Sequence, residues 1–360
     1  MVGSRFVGYI PVNVKIRAMK SKLLSLPDYD RIIQAENLID GVNTIIRLVK
    51  PSKLAEELEL IMPYGEELGL AEIDRALTRS FIAVQNQLGK MIPEDARNVL
   101  EFYYLKKYKY NALKTIIKAI HQGILQETIQ EFIMPPIPTE TEELLELIAL
   151  ESVAQLKDAL RDKFAKKAII EAFEAFEETD STLPLELSLD RELYKQLWKM
   201  ISNLPKNDRE WAYRIFGLRV DWFNILAIIR GVQLGLDPPK LNQFLIPVTY
   251  RLEKNLERAM ASQTTLEAIQ VLSESAYKSI INSVRVIIEE KRSLADVEHL
   301  VEEYFIREDV RVFYGYPFHF GMVLGFLNLL SVDLRNMKAI LVGKVEGVSA
   351  DKIRESLVFF

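Results

Sequence analysis

Residues able to do chemistry are few in this chain and poorly spaced for it. There are three histidines, His121, His299 and His319, and no cysteine. No two of the histidines stand at metal-ligand spacing, and without thiolates neither a Cys-ligated zinc nor a cysteine nucleophile has its donor. No elbow-type turn carries a serine, so no Ser/His/Asp set can be assembled. Gly89-Lys90 and Gly343-Lys344 lack both the earlier glycine and the following hydroxyl of a phosphate-cradling loop. The pairs Glu142/Glu143 and Glu177/Glu178 read as solvated helix faces rather than acid/base pairs. No cofactor, metal or catalytic group is expected.

Two charged tracts offer binding rather than catalysis. Tyr103 to Tyr110 interleaves aromatics and lysines as a nucleic-acid platform does. At helical spacing the same tract puts aromatics inward and lysines outward, and that is the expectation adopted. Residues 138–180 carry a local net charge of −7, which suits a solvated amphipathic face or a basic partner. Over the whole chain, 46 Lys and Arg against 51 Asp and Glu leave −5, so no global field attracts nucleic acid or an anionic membrane.

The elements that would position any site are helices. Hydrophobic residues make up 49% and charged residues 27% of 360 residues, a globular balance. Leu145-Ile148-Ala149-Ser152 and Leu252-Leu256-Ala259-Met260 recur three and four apart, and no alternating run long enough for a strand is present. The fold class is therefore all-α. Val312 to Val332 lacks charge, but its glycines, Pro317, His319 and Asn328 mark a buried helix after a turn rather than a membrane span. The first ten residues lack a secretory apolar run.

An internal repeat organises these helices. Asp221-Trp-Phe-Asn224, followed by Gly235, returns as Asp333-Leu-Arg-Asn336, followed by Gly347, at an offset of 112 residues. A weaker copy holds Asn111 and Gly123, with Tyr108 at the Asp position. Pro135 matches Pro247 at the same offset, as do the capping boxes starting at Ser152 and Thr264. Upstream, Ile73-Asp74-Arg75, Leu189-Asp190-Arg191 and Val297-Glu298-His299 begin each copy. The expected geometry is a helical hairpin: Asp caps a helix, Asn at its third position answers, and the glycine ends it left-handed. The third copy lacks its second half. Arg17-Ala-Met19 and Ser25-Leu-Pro-Asp28 resemble the missing part, so residues 1–52 are expected to complete it. The units are then 53–166, 167–280 and 281–360 closed by 1–52, arranged with pseudo-three-fold symmetry.

The Asp-x-x-Asn motif, its recurrence, and the end tracts Val14 to Leu24 and Leu334 to Leu357 resemble the C subunit of the archaeal-type (A-type, V-type) ATP synthase. The d subunit of the vacuolar ATPase is the eukaryotic relative. The resemblance spans essentially the whole chain, with the ends most specific. It implies a funnel-shaped, non-catalytic rotor part at the cytoplasmic face of the cell membrane. It would sit between the membrane proteolipid ring and the D/F-type central stalk, and would serve ATP synthesis coupled to proton or sodium transport. Tyr9, Arg17, Lys20, Lys22 and the corners near Asp221 and Asp333 are the exposed residues offered for its interfaces. A general helical scaffold binding a partner helix in its concavity is the alternative reading, and a helical hydrolase with an acidic site is a third.

Overall fold

The computed structural model describes residues 6–133, 138–290 and 292–359, and Pro135 lies outside them. Among the described residues the chain is all-α, with helices, short 3-10 segments and no strand. It forms two compact units, one from Met1–Arg97 with Glu302–Phe360 and one from Asn98–Val301.

The first unit is built around the Phe320–Val345 helix. His319 to Leu327 are all buried, so this stretch is enclosed on every side, and a helix apolar all round is what such a position demands. That explains the charge-free run without lipid. Among the described residues no helix is long and apolar enough to cross a membrane. Helices Ile10–Lys20, Leu26–Ile33, Leu38–Val49 and Leu70–Gly89 pack against Phe320–Val345. Ile32, Val42, Ile45, Leu58, Ala76, Met337 and Ile340 share one core there. Each large aliphatic side chain so buried contributes about 1.5–3 kcal/mol. The N-terminal helices are thus held by the C-terminal one.

The second unit contains most of Glu94–His121 and all of Lys206–Gln233. Its core joins Leu113, Ile116 and Ile117 to Ile169, Leu185 and Leu189. The Tyr103–Tyr110 tract departs from the expectation of outward lysines. Tyr103 and Tyr110 are buried as expected, with the Tyr103 ring 4.6 Å from Phe216. Lys106, however, pairs with Asp162, Lys109 with Glu143 at 2.7 Å, and Lys114 with Asp190. Of the tract's three lysines Lys107 alone is exposed. The others turn inward because acids from neighbouring elements wait for them, and neutralised in this way they offer no platform to a phosphate backbone. Burial would raise the Asp162 carboxyl, but Lys106 and the backbone N–H groups of Phe164 and Ala165 hold it below the usual range.

At Gly217, inside Lys206–Gln233, the 245–252 segment approaches that helix closely. A Cβ added there would lie 2.5 Å from Tyr250 Cβ, an atom fixed to the backbone. Gly217→Ala is expected to lower unfolding free energy by about 1–3 kcal/mol, as overpacking does. A urea midpoint unchanged from wild type would refute this close approach.

Candidate functional site: the repeated straps and charged links

Three helices carry the repeat: Glu94–His121, Lys206–Gln233 and Phe320–Val345. They correct the expected corner. Asp221 and Asn224 lie in the middle of Lys206–Gln233, and Asp333 and Asn336 in the middle of Phe320–Val345, so neither pair caps a helix. All four are almost wholly buried. Spaced one turn apart on one face, they bind backbone from elsewhere in the chain.

The asparagine bond is the same in two copies. Asn224 accepts from the Ile246 N–H at 2.8 Å and donates to the Ile246 carbonyl at 3.1 Å. Asn336 accepts from the Val358 N–H at 3.3 Å and donates to the Val358 carbonyl at 2.7 Å. In both, the strapped residue stands 22 positions after the asparagine. Asn111 differs in being exposed.

The aspartates clamp a second segment. Asp221 accepts the N–H groups of Tyr250 at 2.8 Å and Arg251 at 2.7 Å, and the Tyr277 hydroxyl at 2.5 Å. Asp333 accepts the Leu24 N–H at 3.3 Å and the Tyr29 hydroxyl at 2.6 Å. The tyrosines come from different places: Tyr277 precedes Lys278–Glu289, whereas Tyr29 lies within Leu26–Ile33. Burial raises both carboxyls, against the lowering effect of these donors, and Asp333 reaches about 7. Burial and the neighbouring Asp333 push the Tyr29 phenol far above its ordinary range, so it stays a donor.

A folded pKa near 7 against an unfolded value near 4 makes the native state the better proton binder between them. The stabilisation is fully present below about pH 4 and is lost as pH rises through about 7. Asp333→Asn is expected to flatten the fall in urea midpoint between pH 5 and pH 8. An unchanged slope in that variant would show that Asp333 ionises normally.

Each repeat helix ends the same way. Gly123, Gly235 and Gly347 have φ of 67°, 70° and 66°. The next N–H turns back to the carbonyl five residues earlier: Ile124 to Ala119, Leu236 to Gly231 and Val348 to Gly343, at 2.9, 2.9 and 2.8 Å. This is the Schellman closure, which asks for a residue free to be left-handed. A short helix follows, burying Ile129, Leu241 or Ile353, each 112 residues from the next. Gly343 gives Ile353 its room, since a Cβ there would lie 2.7 Å from Ile353 Cγ1.

Three ion pairs link the copies in order. Lys114 of the first repeat helix meets Asp190 of the second start motif. Arg230 of the second meets Glu298 of the third start motif at 2.5 Å, and Lys338 of the third returns to Asp74 of the first at 2.5 Å. The Arg230–Glu298 and Lys338–Asp74 pairs are exposed and contribute only about 0–1 kcal/mol each, whereas Lys114–Asp190 is largely buried, so the order of the links matters more than their strength.

The interface candidates divide. Tyr9 is 1% exposed, which removes it, and the Asp221 and Asp333 positions are removed with it. The Ile10–Lys20 helix turns Tyr9, Val12 and Ile16 inward. Arg17 is exposed with its Nε on Asn13 Oδ1, Lys20 is half-buried with its ammonium 5.1 Å over the Phe313 ring, and Lys22 is exposed. Sequence reading missed the outward apolar residues Ile10 and Val14 of this helix and Val7 just before it, and the exposed pair Tyr314 and Tyr316. The three- and four-residue spacing of the first set was visible, but not which face would be covered. Of the histidines, His319 is buried, and His121 lies 3.9 Å from Asp180 with its ring against Phe176. Among the described residues no cluster of His, Asp and Glu could hold a metal ion.

The model of the ATP synthase (C/AC39) subunit family matches residues 12–356. The chain belongs to that family. Its members are non-catalytic subunits of the rotary complex, and their partners are other subunits of that complex. Curated relatives in the family include the A-type ATP synthase C subunit of Methanocaldococcus jannaschii, 22% identical over 97% of this chain and 86% of its own length. That of Methanococcoides burtonii is 24% identical over 97% of this chain and 94% of its own. That of Pyrococcus horikoshii is 22% identical over 98% and 90%.

Proposed function

We propose that this chain is a rotor subunit of an A-type ATP synthase, joining the D/F-type central stalk to the membrane proteolipid ring and passing torque between them. It lies at the cytoplasmic face of the membrane and reaches the bilayer only through the ring. ATP synthesis coupled to proton or sodium transport takes place in other subunits.

The observation that carries this reading, beside the family, is the cyclic order of the charged links. Links from first copy to second, second to third, and third back to first favour copies that pack as successive neighbours. Residues 1–52 complete the last unit in this arrangement, and the Tyr29 and Leu24 bonds to Asp333 favour it. Torque transfer needs a stiff body. Glycine closures, buried straps and a third helix tied to the N-terminal segment provide one. A three-unit body meeting a ring of different copy number cannot repeat one contact around it. The interface is therefore distributed and partly polar.

Purifying the tagged chain from native membranes is expected to bring stalk and proteolipid subunits with it. Recovery of the chain without either would reject the role. In the assembled enzyme, single alanine substitutions at Arg17 or Lys22 are expected to leave ATP hydrolysis coupled to ion transport. Reversing several charges on one rim uncouples the two. One surface alanine that abolished assembly would contradict the distributed interface.

A further inference from the structure

We propose that a cleft in the Met1–Arg97 and Glu302–Phe360 unit binds a single-chain anionic amphiphile, a molecule with one alkyl tail and one anionic head. The cleft has a volume of about 370 Å³ and lies among the Ile10–Lys20, Lys53–Ile61, Leu70–Gly89 and Phe320–Val345 helices. That volume is within the usual range of small-molecule sites. Its lining includes Met19, Val84, Phe326 and Leu330, so the surface offered is mainly apolar and favours a tail that excludes water.

Three lysines line the same cleft: Lys15, Lys22 and Lys53. Lys15, Ala18 and Met19 come from the Ile10–Lys20 helix and Lys22 from the turn just after it, and all four line the cleft, so the apolar pair is flanked in the chain by two lysines. Lys53 is held by Glu56 at 2.5 Å. Among the described residues no carboxylate stands within ion-pair distance of Lys15 or Lys22, leaving both to meet a head group. The cleft's other acid, Asp333, is already engaged by the Leu24 N–H and the Tyr29 hydroxyl. A free phosphate would leave the apolar lining uncovered, and a neutral chain would leave the lysines unused.

The test is titration calorimetry on the full chain with dodecyl phosphate below its micelle concentration, alongside inorganic phosphate and dodecyl maltoside. Saturable one-site binding of dodecyl phosphate is expected, at least tenfold tighter than either control. Lys15→Glu with Lys22→Glu is expected to weaken it about tenfold, and Ala18→Trp, introduced at an exposed position, to remove it. Circular dichroism matching wild type shows that the variants fold. The proposal is overturned by absence of saturable binding, by equal affinity for the maltoside or for phosphate alone, or by indifference to the lysine reversals.

Discussion

Asp221→Ala is expected to lower the unfolding free energy by about 3–4 kcal/mol. Its carboxylate is fully buried and serves three donors at once, the N–H groups of Tyr250 and Arg251 and the Tyr277 hydroxyl. Each buried donor left unmatched costs about 1–3 kcal/mol. The total stays below the sum because removing a carboxylate raised by burial gives back some desolvation. Tyr277→Phe removes one of the three bonds and is expected to cost about 1 kcal/mol. Urea denaturation followed by circular dichroism measures both. If Asp221→Ala costs under about 1 kcal/mol, the carboxylate does not hold the strap. Gly217→Ala pushes on the same Tyr250 segment, so the two substitutions together are expected to cost less than their separate sum.

The second large effect separates three asparagines that the repeat places together. Asn224→Ala and Asn336→Ala are each expected to cost about 2–3 kcal/mol, because each leaves a buried backbone N–H and carbonyl without a partner. Asn111→Ala is expected to fall within about 0.5 kcal/mol of wild type, because Asn111 is exposed. Parallel melts of the three variants decide the matter. Equal losses at all three positions would mean that the first copy is strapped like the others.

These two experiments also mark how far the site could be read in advance. The copies, their offset and their glycine ends came from residue identity alone. The role of Asp and Asn did not. A capping box and a one-turn pair inside a helix share the same three-residue spacing, so Asp-x-x-Asn describes both. What distinguishes them is whether the helix begins at the Asp. Trp211 to Val220 continue the helix straight into it, under a core that buries Ala212, Ile215, Phe216 and Leu218.

The lysines between 106 and 114 teach the same lesson in charge. Their spacing put some of them at positions that a solvated face would use. Asp162, Glu143 and Asp190 come from elements tens of residues away and draw Lys106, Lys109 and Lys114 inward. A partner so distant in the chain leaves no local signal.

The sequence by itself determined what depends on near neighbours: the helices, through apolar residues three and four apart, and the glycine closures, through a backbone conformation that other residues resist. It determined the family as well, since the repeat and the end tracts are matters of residue order. Tertiary structure alone decided that Asp221 and Asp333 are buried clamps, that Tyr9 is core, and that Val7, Ile10 and Val14 are left facing outward. The reason is that burial belongs to the packing of elements far apart in the chain, and an amphipathic pattern says which residues share a face but not what will cover it.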